Sequence, residues 1–168
     1  MMKIEFKYDE VIDFIKCHSL LSMSLEERLQ TLIESGIIEE ENPLEAAKQE
    51  YNQEIKDGLV FSLLIKNSFW EATIKEITGN DIRIVDHNDE DITGVNCDAC
   101  GYIVFEDKED AFYEICPVCG WQNDGTSGAE YSGCNHSTMD DYKATADFEN
   151  RVSSGGGKYI LRNEDKTS

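Results

Sequence analysis

Apolar residues recur at helical spacing through the first part of the chain, with polar residues between them. This spacing predicts three helices, over 8–17, 24–36 and 42–56. Ser24 and Glu27 have the spacing of a capping box, in which both side chains satisfy free backbone N–H groups. Asn42 followed by Pro43 is typical of a helix start, and Gly36 is a favoured stop.

Two short stretches of alternating polarity, 3–8 and 81–86, predict strands, and 3–8 also fits an extended lead-in to the first helix. Between them, Ser68 and Glu71 form a second capping box, which starts a helix that ends before Gly79. The apolar run 59–65 fits either a strand or a buried helix, and we favour a helix. Trp70 is expected in the core rather than at a binding surface.

The pattern changes after an acidic connector at 87–93, and we place a domain boundary near Val95. Alternation over 102–106 and 111–115, on either side of an acidic turn at 107–110, predicts the two strands of a ribbon hairpin. A ribbon module of fewer than about 40 residues buries too little apolar surface to fold by itself, so it needs a bound metal.

A last helix is predicted from Thr138, which has Asp141 at the position of a capping-box partner. Glycine and serine residues at 153–157 predict a flexible linker, and 158–162 fits an edge strand. We therefore predict an α+β fold. Its parts are an N-terminal mainly helical domain at 1–95, a small zinc-ribbon module with a C-terminal helix at 96–151, and a flexible tail at 152–168.

The chain carries a strongly negative charge. It has 15 Lys and Arg against 35 Asp and Glu, which gives a formal net charge of −20. This charge disfavours binding to nucleic acid or to an anionic membrane, and it suits a well-solvated protein or one with a basic protein partner. Three acidic runs are candidate docking patches, although such runs are more often only solvated: Glu39–Glu41, Asp86–Asp91 and Glu106–Asp110.

The compartment follows from two sequence features. The first residues lack the apolar region of a secretory signal, and no apolar run is long enough to span a membrane. We therefore expect a cytoplasmic protein with reduced cysteines.

Two C-x-x-C pairs carry the clearest chemical signal. Their four cysteines are Cys97, Cys100, Cys116 and Cys119. The spacing between the pairs lies at the short end of the range for zinc sites. A C-x-x-C turn brings two thiolates onto one ion, and the glycine after each pair lets backbone N–H groups point at the sulfurs. Two facing turns predict a tetrahedral four-thiolate site with a structural Zn²⁺.

Three alternatives use the same four cysteines. A rubredoxin-like site would hold one redox iron in the same geometry, and the sequence separates iron from zinc poorly. Two redox C-x-x-C motifs are disfavoured because neither lies in a βαβ pattern. Structural disulfides are disfavoured because no secretory signal is found.

Few other residues are candidate ligands or catalysts. Asn135 and His136 are expected to hydrogen-bond to backbone near the start of the last helix, and the alternative is a second metal site with Cys134, His136 and an acid. Cys17 is expected to be a small buried residue. The sequence contains no Ser-His-Asp or Cys-His set, H-E-x-x-H motif, phosphate loop or dinucleotide fingerprint. Because a four-thiolate site has no open coordination position, we expect that the protein is not an enzyme.

Three motifs follow one another from Cys97 onward. They are C-D-A-C-G-Y, then Y-E-I-C-P-V-C-G-W-Q-N-D, then Y-S-G-C-N-H-S-T-M-D-D-Y. This order resembles the bacterial cysteine-rich CPCC family, which shows C-P-C-C-G-Y, E-I-C-P-V-C-x-W-E-D-D and N-H-x-T-L. Here Asp98 and Ala99 replace the proline and the extra cysteine of the first motif. The resemblance covers about a third of the chain and implies metal binding rather than catalysis. It also implies a small bacterial accessory protein, in some cases an immunity partner in polymorphic-toxin or contact-dependent inhibition loci.

Two functions are consistent with the sequence. The first is a cytosolic immunity protein that binds a toxin domain, most simply a basic nuclease, and covers its active site with carboxylates that mimic phosphates. The second is a rubredoxin-like electron carrier with iron at the four cysteines. Binding of nucleic acid through the ribbon is disfavoured by the charge and by the lack of a Lys/Arg cluster.

Overall fold

Helices and short strands both form, which confirms the predicted α+β class. The structure is a computed structural model that describes residues 2–39 and 41–162. Contacts divide the chain into a first unit, Met1–Phe61 with Ile74–Asp86, and a second unit, Ser62–Thr73 with His87–Ser168. Val95, near which the sequence predicts a domain boundary, lies inside the second unit.

The first unit contains a two-stranded parallel sheet and several helices. Its elements are β1 (Ile4–Phe6), α1 (Tyr8–Ser22), α2 (Leu25–Glu34), α3 (Pro43–Ala46), α4 (Asn52–Asp57), the C-terminal part of α5 (Asn67–Thr78) and β2 (Ile82–Ile84). Ile4 lies opposite Ile82 and Phe6 opposite Ile84, which confirms both predicted strands.

α1 continues to Ser22, beyond the predicted end at Cys17. It begins where the Lys7 N–H donates to Glu10 Oε1 at 3.0 Å. Leu20, near its end, packs against the apolar core of the first unit. The buried residues of that core are Leu32, Ile38, Ala46 and Ile55. The longer helix therefore removes more apolar surface from water.

Of the three predicted capping boxes, those that begin at Ser24 and Thr138 cap helices, whereas the one that begins at Ser68 does not. The Ser24 Oγ accepts a hydrogen bond from the Glu27 N–H at 3.1 Å, at the start of α2. Ser68 is not a helix cap, because α5 begins already at Asn67. Gly79 ends α5 as predicted, with a left-handed φ of 80°.

The single helix predicted over 42–56 is wrong. The chain instead forms α3, a 3₁₀ turn at Gln49–Tyr51 and α4. The break lies at Lys48, which is extended with a ψ of 142°. The Arg28 guanidinium binds on either side of it, since Nε donates to the Ala46 carbonyl at 2.9 Å and Nη2 to the Lys48 carbonyl at 3.2 Å. These hydrogen bonds from a distant side chain stabilise the interrupted conformation.

The run 59–65 is also not helical, contrary to the prediction. The Ser62 Oγ accepts the Leu64 N–H at 3.2 Å, and a local turn of this kind competes with helix formation. Leu64 and Ile65 are buried in the second unit. Trp70 is 3% exposed, as expected for a core residue.

The second unit is built from small antiparallel sheets and short helices. Besides the start of α5, its elements are β3 (Val95–Asn96), β4 (Tyr102–Phe105), α6 (Lys108–Ala111), β5 (Tyr131–Ser132), β6 (Ser137–Thr138), α7 (Met139–Lys143), α8 (Ala146–Gly155) and β7 (Ile160–Leu161). β4 is the central strand of a sheet with β3 and β7 at its edges. β5 and β6 form a separate pair.

The predicted hairpin between 102–106 and 111–115 is wrong. The first stretch forms β4, which pairs with β3 and β7. The second stretch begins at the end of α6, because Asp107 caps a helical turn where a tight hairpin was expected. Ile115 makes an isolated bridge with Gln122 instead.

The predicted last helix is divided into two. Thr138 caps α7 as predicted, and Thr145 caps α8. The flexible linker predicted at 153–157 is wrong, because these residues complete α8 and a following 3₁₀ turn. A Cβ on Gly156 would lie 2.6 Å from the Tyr102 hydroxyl oxygen. This glycine therefore permits close packing rather than flexibility.

The edge strand predicted within 158–162 is confirmed as β7, which pairs with β4. The last part of the predicted tail, 163–168, lies outside the described residues. Throughout 2–39 and 41–162, no helix combines the length and apolar character needed to cross a membrane.

Candidate metal centre

Each C-x-x-C pair forms a tight turn with the same hydrogen bonds. In the first, the Cys97 N–H donates to the Tyr102 carbonyl and the Gly101 N–H to the Cys97 carbonyl, both at 2.9 Å. In the second, the N–H groups of Cys116 and Gly120 make the equivalent bonds, at 2.9 and 3.0 Å. We call these turns the first knuckle, 97–101, and the second knuckle, 116–120.

The repeat in the sequence is also a repeat in backbone conformation. Gly101 and Gly120 both have a φ of 81°, a left-handed value that residues with side chains rarely adopt. The residues that flank the knuckles pair in equivalent registers, Asn96 with Ile103 and Ile115 with Gln122. The glycine after each pair is therefore required by the turn.

The two knuckles bring the four Sγ atoms together. Those of Cys97 and Cys119 lie 3.6 Å apart, those of Cys100 and Cys116 lie 3.7 Å apart, and all four lie within 4.8 Å of one another. A tetrahedral site with metal–sulfur bonds of about 2.3 Å places its sulfurs about 3.8 Å apart. The four cysteines are therefore positioned to hold a metal ion. Elsewhere in 2–39 and 41–162, no group of three or more Cys, His, Asp or Glu side chains is arranged in this way.

Several N–H groups point at the sulfurs. Those of Val118 and Cys119 lie 3.3 and 3.4 Å from the Cys116 Sγ. The Asn123 Nδ2 lies 3.6 Å from the Cys97 Sγ. Donors of this kind stabilise a thiolate relative to a thiol and hold it in place for a metal.

Asn123 is a central residue of the site that no sequence pattern predicts. It is 6% exposed, and its Oδ1 accepts the Asp98 N–H at 2.9 Å. Its Nδ2 also donates to the Trp121 carbonyl at 3.2 Å. Nothing in the local run W-Q-N-D separates this asparagine from an ordinary loop residue, because its partner lies in the other knuckle.

The second knuckle is covered by side chains from α7 and α8. The Tyr142 hydroxyl donates to the Cys119 carbonyl at 2.5 Å, and its ring lies 5.3 Å from the fully buried Trp121 ring. A Cβ on Gly120 would lie 2.5 Å from the Arg151 Nη1. The Arg151 guanidinium therefore lies directly against this knuckle, and its Nε donates to the Asp147 carboxylate at 2.9 Å.

The four thiols change one another's acidity. The pKa of Cys97 is lowered, first because the Cys100 thiol donates to it and then because Cys116 and Cys119 do so. The pKa of Cys100 is raised by its hydrogen bonds to Cys116, Cys119 and Cys97. Sulfurs this close repel one another once several are ionised, so full ionisation of the cluster requires a cation at its centre.

The other candidate residues of the described parts of the chain do not belong to the four-cysteine cluster. Asn135 hydrogen-bonds to backbone as expected, but its partners are the N–H and carbonyl of Gln122, at 2.8 and 2.9 Å, rather than the helix start. His136 and Cys134 are exposed and join no metal-type cluster among the described residues. Cys17 is half-buried on α1 rather than fully buried.

The acidic runs are partly used for local structure. Four carboxylates accept backbone N–H groups: Asp86 from Tyr8, Asp89 from Asn67, Asp107 from Asp110 and Asp110 from Glu106. Glu90, Asp91, Glu106 and Glu109 are exposed. In the first run, Glu39 and Glu41 are exposed, and Glu40 lies outside the described residues.

Comparison with known proteins gives one finding. Residues 95–150 match the sequence model of a family described as Cysteine-rich CPCC. The match covers about a third of the chain and includes both knuckles, α7 and the start of α8. No curated protein and no solved structure matches the chain. The resemblance to the CPCC family is thus confirmed for this segment.

Proposed function

We propose that Cys97, Cys100, Cys116 and Cys119 hold one Zn²⁺ with a structural role. The observation that carries this proposal is the spacing of their sulfurs, 3.6 and 3.7 Å across the two knuckles. Bound zinc would supply the positive charge that four adjacent thiolates require. A site with four thiolate ligands has no open position for a substrate or a water molecule, which favours stability over catalysis.

The surroundings of the cysteines support a structural role. Cys97, Cys116 and Cys119 are almost fully buried, and the elements around them are strands of two to four residues and short helices. Elements of this length bury little apolar surface by themselves, so a metal bond network adds much of the stability that such a module needs.

We further propose that the whole protein is a non-enzymatic immunity protein. It would bind a toxin domain, most simply a basic nuclease, and cover its active site. The charge of −20 supports a basic partner. The exposed carboxylates of Glu90, Asp91, Glu106 and Glu109 are the candidate phosphate mimics. Their long-range attraction would speed association and weaken it in salt.

A second candidate is a rubredoxin-like electron carrier with iron at the same cysteines. One observation favours it: Cys100 is only half-buried, whereas its three partners are buried. A partly exposed sulfur offers a route for an electron to a partner protein. The two candidates differ in metal, since iron with four thiolates is coloured and zinc is not.

Co-expression with the product of the neighbouring gene tests the immunity proposal. The expected result is a tight, salt-sensitive complex with a basic protein whose toxicity is relieved in the cell. A toxicity that persists in the presence of this protein, without a complex, would contradict the proposal. The matched control is a Cys116→Ser variant, which should lose zinc and protect less.

A further inference from the structure

The segment 106–115 combines a fixed backbone with outward-facing apolar side chains. Phe112, Tyr113 and Ile115 are 60%, 52% and 61% exposed. The rings of Phe112 and Tyr113 pack edge to face with centroids 4.3 Å apart. Exposed apolar side chains that adjoin one another in this way mark interaction surfaces.

The backbone around Tyr113 is held in place by hydrogen bonds to residues 122 and 123. The Tyr113 N–H donates to the Asn123 carbonyl at 2.8 Å, and the Tyr113 carbonyl accepts from the Gln122 Nε2 at 2.9 Å. The Asn123 N–H also donates to the Glu114 carbonyl at 3.0 Å. The exposed side chains therefore project from a rigid base, which lowers the entropy lost when a partner binds.

Tyr113 has a strained backbone conformation, which its hydrogen bonds to residues 122 and 123 hold in place. Its φ is 64°, in the left-handed region that a tyrosine rarely occupies. Its ring is exposed beside that of Phe112. Strained residues of this kind are concentrated at functional sites.

The charge around the three side chains selects the partner. The stretch 106–115 contains five carboxylates and one cation, Lys108. Every residue of this stretch except Ala111 is exposed. A partner surface that covers these apolar side chains meets a negative rim, and a cationic surface complements it.

We infer that Phe112, Tyr113 and Ile115 form the apolar centre of a docking surface for a basic protein, with the surrounding carboxylates as its rim. This inference rests on the proposed immunity function and names the surface that performs it. Aromatic side chains at the centre of an interface, surrounded by charged residues, are typical binding hot spots.

A cyclic-peptide display library, selected against the zinc-loaded full-length protein, tests the inference. The expected winners combine Arg or Lys with an apolar side chain. Phe112→Ser and Ile115→Thr should each weaken their binding by about tenfold or more. Tyr113→Asn should weaken peptide binding to a similar extent, and asparagine tolerates the left-handed backbone at this position. Leu161→Ser is the matched control, because Leu161 is 54% exposed in the same unit and should leave binding unchanged.

The rim is tested with a second pair of variants. Glu106→Gln with Glu109→Gln should weaken the same peptides and reduce their salt dependence. The control is Asp140→Asn with Glu149→Gln, a matched change at exposed helix positions, which should leave peptide binding and its salt dependence unchanged. Zinc content confirms that each variant is folded.

Peptides without a basic bias, or peptides whose binding is unaffected by the changes at positions 112, 113 and 115, would overturn the inference. The experiments distinguish a failure of this inference from a failure of the immunity proposal. Selection of basic peptides at this surface, with no toxin partner in co-expression, overturns only the immunity proposal. A toxin complex that is insensitive to the three variants overturns only the assigned surface.

Discussion

The Oδ1 of Asn123 accepts a hydrogen bond from the backbone N–H of Asp98 at 2.9 Å. Asp98 lies inside the first knuckle, whereas Asn123 follows the second. The same side chain reaches the Cys97 sulfur through its Nδ2. One buried amide therefore fixes the two knuckles relative to each other and orients a sulfur.

Replacement of Asn123 by Ala should weaken the metal site without removing a ligand. The Asp98 N–H would lose its acceptor, at a cost of about 1 to 3 kcal/mol in the free energy of unfolding. Loss of an outer contact to a ligand should reduce zinc affinity by about 10- to 100-fold. Competition with a chelator measures this affinity. Asn88→Ala, at an exposed asparagine of the second unit, is the control and should leave it unchanged.

Replacement of Cys116 by Ser should abolish zinc binding and unfold the second unit. The expected readouts are the loss of zinc from the purified protein and the loss of a cooperative unfolding transition. Cys17→Ser, a matched change in the first unit, should keep the zinc and cost about 1 kcal/mol in stability. Full zinc content in the Cys116 variant would show that this cysteine is not a ligand.

Replacement of Gly156 by Ala should destabilise the second unit, whereas the same change at Gly157 should not. A Cβ on Gly156 would lie 2.6 and 2.7 Å from the Oη and Cζ of Tyr102, while a Cβ on Gly157 would meet nothing within 4 Å. The expected cost at Gly156 is about 1 to 3 kcal/mol, measured by urea unfolding of the zinc-loaded protein. Equal stability of the two variants would show that Gly156 is not packed against Tyr102.

Ionisation of Tyr51 should be shifted to high pH by its hydrogen bond to Glu45. The Tyr51 hydroxyl donates to the Glu45 carboxylate at 2.6 Å, and this bond is the main cause that raises the pKa of Tyr51 to about 12. Because the folded-state pKa is the higher one, the bond stabilises the protein fully below about pH 10, and this contribution is lost as the pH rises through about 12.

NMR titration of protein labelled at the tyrosine Cζ measures this shift, and Tyr51→Phe assigns the signal. In Glu45→Gln the pKa of Tyr51 should fall toward its ordinary value of 10.0. An unchanged pKa in that variant would show that the carboxylate is not its cause.

Features that depend on neighbouring residues were predictable from the sequence. The Ser24 cap, the Gly79 stop and the two C-x-x-C turns each need only a few consecutive residues, and all are present. Their hydrogen bonds close within the same turn, so the pattern of residue types is sufficient.

Features that depend on distant partners were not predictable in this way. Arg28 hydrogen-bonds to the carbonyls of Ala46 and Lys48 where the predicted helix is broken, and only the fold brings them together. Gly156 resembles part of a linker until Tyr102 is packed against it. The role of Asn123 likewise depends on Asp98 in the other knuckle.

Metal analysis of the purified protein tests the central claim most directly. Elemental analysis and an absorption spectrum on the same sample should give about one zinc per chain and no visible colour, and removal of the zinc with a chelator should unfold the second unit. A red protein with iron at the cysteines would replace the structural-zinc account with electron transfer. A second unit that is stably folded without any metal would contradict both the structural-zinc account and the electron-transfer account.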